Sequence, residues 1–365
     1  MSNTVDQLQQ QLQKDVFHYA QDKKKAAGRA LGTIVEIITY YKVCSWGFSA
    51  NLLIEKPVPE FGRPEISHNV EFSLHPLLNQ PKTHEIPKST GALTPKRLAK
   101  LTGVSVTAKA SLLSSKSLLR NAAILDEDHD RLVVANLLRS AKDHHTISIA
   151  ELLPVPRAIF ECKRVGVEEG MKKGPQSIEK AKQGAYVART ISSLQKVRAA
   201  DGTPLGFLPN SNGQPLIQRY SELLDKVLSG KMALPDRFIL TVGVVSNHGN
   251  WFTAENMNKE MKVLAAAYDW LLFLTDEGLL EFVKTCILNP KKEDAPIRKA
   301  FLDSYNGGIG GTRFTKTTLD LEADLALRKY FLKNNDRSNR WFNVITPSGK
   351  GIELLSKHLK ALLTA

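Results

Sequence analysis

The sequence predicts an α/β chain of the α+β kind, with a mixed central sheet flanked by helices, on three observations. Two unbroken apolar runs, Phe238 to Val245 and Trp270 to Leu274, suit strands buried on both faces. Helical spacing marks Ala30 to Tyr41, through Leu31, Ile34, Ile37, Ile38 and Tyr41. It also marks Pro175 to about Val197, through Ile178, Ala181, Ala185, Ala188, Ile191 and Leu194. Strand-like runs lie between them at Ile66 to Leu74, Leu132 to Leu138, Thr146 to Leu153 and Ala158 to Val165. The 365 residues, 42% of them hydrophobic, suffice for a sizeable core and argue against disorder.

Charge narrows the partner. A formal net charge of +13 favours a polyanion, nucleic acid ahead of an acidic membrane surface. No apolar run reaches membrane-spanning length, and the Gln-, Asp- and Lys-rich start lacks a signal-peptide core, so no membrane partner is expected. Cys44, Cys162 and Cys286 are far apart, without a CxxC pattern or a Cys/His cluster. That count fits a reducing cytoplasm and offers no zinc site. Asn306 to Gly311 is glycine-rich but lacks the Gly-Lys-Ser/Thr of a phosphate-binding loop, so no nucleotide cofactor is expected.

In chain order, residues 1–29 read as a polar helical brace and 30–290 as the core. The span from Pro76 to Pro95 reads as a surface loop, and Asp201 to Asn212 as an exposed loop. Thr94 to Asn121 resembles a helix-turn-helix: Leu98 to Leu101 would end the first helix, Gly103 would make the turn, and Val106 to Leu113 would be the reading helix. Lys96, Lys100 and Lys109 make this segment a candidate DNA-facing surface. Residues 291–365 form a basic extension in which Arg313 and Lys316 are candidate DNA contacts, followed by Arg328 to Arg340 with Tyr330, Trp341 and Phe342 interleaved. Phe342 to Ile345 and Gly351 to Leu363 read as a final strand and helix.

The chemistry centres on Arg157 to Val165. On a strand, Glu161 and Lys163 share one face while Phe160 and Cys162 point to the core on the other. A carboxylate beside an ammonium suits divalent-metal hydrolysis of phosphodiesters. Glu260-Met261-Lys262 repeats the spacing but lies in a helical run and reads as a solvated face. Pro154-Val155-Pro156 is too short for a crossover, so the flanking strands should pair antiparallel and bring Asp143 near Glu161. Glu151, Asp128 and Asp130 are less well placed. Glu36, amid the apolar positions of its helix, is either an ion-paired edge residue or a further acid facing a metal. Lys180, Lys182 and Gln183 could reach a phosphate with support from Tyr186, and His248 could touch substrate.

Helix, strand meander, acid and Glu-x-Lys, helix, buried strand, helix, buried strand: over roughly residues 30–280 this order resembles the PD-(D/E)xK nuclease superfamily, and type II restriction endonucleases within it. The resemblance implies a restriction-endonuclease-like core with helical insertions. It implies Glu161 and Lys163 as the Glu-x-Lys pair, Asp143 as the upstream acid and Glu36 as the helix acid. Asp143 and Glu161, with Glu36, would hold Mg²⁺, and Lys163 would position the attacking water. Site-specific double-strand cleavage of DNA by a homodimer would be the outcome. The alternatives are a helix-turn-helix regulator without chemistry and a repair or recombination nuclease of the same superfamily.

Overall fold

The computed structural model describes residues 5–18, 20–89, 91–164, 175–209, 214–246, 252–305 and 312–364, with the backbone alone at 5–7, 164 and 175–181. The apolar runs form the middle of a mixed six-stranded sheet. Its order is Leu52–Ile54, Phe72–Leu74, Ala158–Arg164, Leu240–Ser246, Trp270–Leu274, Phe342–Thr346. The third, fourth and fifth strands are parallel. The remaining pairings are antiparallel. Leu240–Ser246 and Trp270–Leu274 are buried at every residue, as parallel strands covered on both faces must be.

Helices supply that cover. On one face lies Lys23–Val43, started by Asp22, whose side chain accepts the Lys25 N–H at 2.9 Å. Its Ile34, Ile38 and Tyr40 share a core with Phe72, Phe160, Cys162, Val242 and Leu272. On the other face Pro175–Thr190 and Lys259–Ala267, the two crossovers between parallel strands, bury Ala185, Ala188, Met261 and Leu264 against Val245, Leu271 and Phe273. The expected boundary at residues 29 and 30 therefore falls inside one helix. Val5–Asp15 is the separate brace, with Leu8 and Leu12 buried.

Four expectations are corrected. Thr146–Leu153 and Ala158–Val165 do not form a hairpin. His144–Leu152 lies in a second, four-stranded antiparallel sheet with Lys82–Pro87, Leu132–Ser140 and Ala123–Glu127. Pro154 and Pro156 have no N–H to continue a ladder, and the chain changes sheets there. Leu153 N–H donates to Pro76 O at 2.9 Å, and Arg157 N–H to Leu74 O at 2.8 Å. Second, Ile66 to Leu74 is two strands: Arg63–Asn69 pairs with Pro57–Glu60, and only Phe72–Leu74 enters the central sheet.

Third, the helix-turn-helix stops at its first helix. Pro95–Thr102 is capped by Thr94 and ends on left-handed Gly103, φ 74°. Residues 104–109 are non-helical, with Thr107 and Ala108 N–H both donating to Leu125 O. β-Branched Val104 and Val106 pack on the second sheet's core instead of coiling. Fourth, residues 291–365 are no appendage. Phe342–Thr346 closes the central sheet, and Leu321–Lys333 sits on the long helix through a 2.6 Å bond from Tyr41 Oη to Asp324. Tyr330, Trp341 and Phe342 are buried rather than groove-lining. Among the described residues no helix is long and apolar enough to cross a membrane.

Gly278, in the first turn of Asp276–Phe282, shows how tightly the C-terminal segment is docked. A Cβ there would lie 2.4 Å from Trp341 Cβ and 3.0 Å from its Cα. Gly278→Ala should cost about 2–3 kcal/mol by overpacking, read as a lower urea midpoint. A loss below about 0.5 kcal/mol would show that the Trp341 segment is not fixed in place.

Candidate active site

Glu161 and Lys163 do share a face, and the Lys163 ammonium is 3.1 Å from Glu161 Oε2. Phe160 and Cys162 lie buried on the opposite side, as the strand period demands. Glu161 is only 4% exposed. Two glycines shape its surroundings. Gly243 is its partner on the next strand, and a Cβ there would stand 2.9 Å from the Tyr268 ring. Gly184 on the crossing helix would place a Cβ 2.9 Å from Tyr268 Oη and 3.9 Å from Lys163 Cε. Without those side chains, Tyr268 and Lys163 close over Glu161. Burial pushes the Glu161 carboxyl up, and Lys163, then His68, counter it only in part. Burial likewise raises the Tyr268 phenol, with Glu161 adding to it. Its hydroxyl has no hydrogen-bond partner among the described residues.

The acid nearest Glu161 across the sheet is not Asp143 but Glu71. The register pairs Phe160 with Phe72, so the next rung sets Glu71 opposite Glu161. Glu71 contacts the buried Lys316 ammonium, which also lies 3.4 Å from Glu36 and 3.3 Å from Glu55. Glu36 comes from the long helix. Glu55 ends the first strand in a left-handed conformation, φ 53°, unusual for a side-chain-bearing residue. Burial raises the Glu36 carboxyl, Lys316 opposes that rise, and Lys163 also acts on it. The two clusters therefore adjoin at one end of the sheet. Four carboxyl groups face two ammoniums there.

Asp143 is not part of this centre. It sits at the turn before His144–Leu152, a nine-residue strand about 30 Å long whose far end is where the chain crosses to the central sheet. Its side chain is 83% exposed and bonded to His144 Nδ1 at 2.8 Å, which holds its carboxyl below the usual range. Glu151 pairs with Asn79 and Arg131, and Asp128 caps its own turn. Lys316, expected to contact DNA, is turned inward on the glutamates. Arg313 is tied to Asp320 at 3.3 Å. Arg328, Lys329, Lys333 and Arg337 are likewise paired with acids. Lys96, Lys100 and Lys109 are exposed beside the second sheet, and Gln183 is exposed next to Gly184. The Lys180 side chain and His248 lie outside the described residues. Glu260 is buried, not solvated, while Lys262 is exposed.

Glu71 and Glu55 went unnoticed in the sequence, although Val70-Glu71-Phe72-Ser73-Leu74 shows an acid breaking an apolar alternation. Among the described residues no three of His, Cys, Asp and Glu converge closely enough to hold a metal between them. The glutamates converge instead on an ammonium. The chain matches no family model, no curated protein and no solved structure.

Lys316→Met should destabilise the fold by about 2–4 kcal/mol at neutral pH, less than a fully buried pair because Glu55 is half exposed. The loss should shrink as pH falls into the carboxylate range, and when millimolar Ca²⁺ is added. Thermal melts across pH, with and without Ca²⁺, measure both. A pH-independent loss would show that the ammonium is not balancing the glutamates.

Proposed function

We propose that the chain is a divalent-metal-dependent DNA endonuclease with Glu161, Lys163 and Glu71 at its centre and Glu36 beside them. The supporting observation is the Glu161–Lys163 contact at 3.1 Å on a strand with one antiparallel and one parallel neighbour. Glu71 immediately precedes the antiparallel neighbour, and the parallel one is reached through a crossing helix. That order resembles the PD-(D/E)xK core, with Glu71 taking the upstream position in place of Asp143. The second sheet is an insertion between the meander strands. The helix-turn-helix regulator has lost its reading helix and is not favoured.

Glu71, Glu161 and Glu36 are the oxygen donors that would hold Mg²⁺. When bound, the ion supplies Lewis-acid stabilisation of charge developing on the phosphate. Lys163, 31% exposed, reaches from Glu161 toward solvent, where it can orient a water and offset charge on a phosphate oxygen. Burial raises the Glu161 carboxyl and so opposes the ionised form that would hold the ion. The net charge of +13 and the exposed Lys96, Lys100, Lys109 and Gln183 support double-stranded DNA as the partner. Site-specific cutting as a homodimer, in the manner of type II restriction, is the specific form of this reading.

Purified protein should convert phage DNA to discrete fragments only with Mg²⁺. Glu161→Gln, Lys163→Ala and Glu71→Gln should each lower cleavage by at least about 10³-fold, roughly 4 kcal/mol, while DNA binding in Ca²⁺ persists. Asp143→Ala should cut normally. Full activity of Glu161→Gln overturns the assignment, and intact DNA under all metals overturns the function. The pH dependence has a defined sign. A carboxyl raised in the folded state favours its protonated form, so its contribution to stability is lost as pH rises through the folded value. Cleavage should therefore climb with pH above the usual carboxylate range. Glu161→Gln should match or exceed the parent in melting temperature at neutral pH, with the difference vanishing in acid.

A further inference from the structure

On the crossover-helix side, but not including Glu161 or Lys163, lies a cavity of about 450 Å³, within the ~300–1,000 Å³ of small-molecule sites. Much of its wall is apolar: Val197, Pro204, Leu224, Ala266 and the Tyr220 and Tyr268 rings. Val197 is 45% exposed, so an apolar surface is left open to solvent there.

Three cations line the cavity, and they are not equivalent. Lys196 is consumed by the fold: its ammonium donates to Ala267 O at 3.1 Å and Tyr268 O at 2.8 Å, lies 3.5 Å from Asp269, and stands 4.3 Å over the Tyr220 ring. Arg189 and Arg198 are exposed, and neither makes an ion pair or a side-chain hydrogen bond with any described residue. That contrasts with the C-terminal arginines, which are paired with acids. Two guanidinium forks without a partner among the described residues, beside a largely apolar cavity, select a ligand with an anionic end and a flat apolar body. Phosphate matches the forks bidentately, and an aromatic base matches the tyrosine and aliphatic walls.

We propose that this cavity is a nucleotide site, with the phosphate on Arg189 and Arg198 and the base against Val197, Leu224 and the edge of Tyr220. The nucleotide is either free or the 5′-phosphorylated end of a DNA strand, which share this chemistry. Tyr268 lines the cavity, and its side chain runs from there past Gly243 to Gly184, on the Glu161 side. An occupant would therefore abut the shared tyrosine without entering the Glu161 centre.

The full chain is titrated calorimetrically with a deoxynucleoside 5′-monophosphate, the matching nucleoside and inorganic phosphate. A short oligonucleotide carrying a 5′-phosphate or a 5′-hydroxyl is titrated in parallel. A phosphorylated ligand should bind saturably and at least about tenfold tighter than its counterpart lacking the phosphate. Arg189→Ala with Arg198→Ala should weaken that binding about tenfold or more. Ala266→Phe should abolish it by filling the cavity with no change of charge, and Glu161→Gln should leave it intact. Arginine-dependent binding of the free nucleotide assigns a free ligand, and of the phosphorylated oligonucleotide alone a strand end. No saturation with either ligand by millimolar concentrations, or unchanged affinity in the double variant, overturns the site. These readouts concern binding alone, so they stand or fall separately from DNA cleavage.

Discussion

A carboxylate withdrawn from water must find a cation, and that requirement organises one end of the central sheet. At a separation of 4 Å and an effective dielectric near 20, opposite charges attract by about 4 kcal/mol, comparable to the cost of desolvating them. Glu161 meets it through the lysine two residues on. Glu36, Glu55 and Glu71, from a helix and the ends of two strands, meet it through one ammonium delivered from residue 316. The carboxyls of Glu161 and Glu36 are both pushed up because their lysines do not fully offset burial.

Local periodicity was readable and long-range pairing was not. The facing of Glu161 and Lys163, and the burial of Phe160 and Cys162, come from a two-residue repeat that no distant contact can alter. Leu240–Ser246 and Trp270–Leu274 were legible because continuous apolar strands have few other places to go. Asp143 was misplaced because nearness in sequence was taken for pairing. The strand beside Glu161 was laid down some 85 residues earlier, and a whole second sheet is inserted between them. Glu71 was hidden for the same reason: its alternation is three residues long once Arg63–Asn69 pairs elsewhere. Lys316 looked like a DNA contact because a lysine in a basic stretch gives no sign of facing inward. Only the fold brings three acids to it.

Two buried acids of the central sheet, one on Ala158–Arg164 and one just ahead of Trp270–Leu274 two strands away, show how the same requirement yields opposite outcomes. Asp269 is saturated. It accepts from the Tyr220 hydroxyl, from the Thr241 N–H at 2.8 Å and hydroxyl at 3.0 Å, with Lys196 at 3.5 Å. Its lone pairs are used, and it ties the crossover to the small sheet around Pro204–Leu208. Glu161 has Lys163 as its one donor among the described residues, while an unpartnered tyrosine hydroxyl lies nearby. A structural acid at that depth would be expected to acquire donors as Asp269 has, because each missing hydrogen bond costs about 1–3 kcal/mol. Glycines at 184 and 243 leave their room to Tyr268, Leu271 and Lys163. Glu161 thus keeps, beside three further glutamates, lone pairs that Asp269 has filled. It is the contrast with Asp269, more than the Glu-x-Lys spacing itself, that sets Glu161 apart from an ordinary buried ion pair.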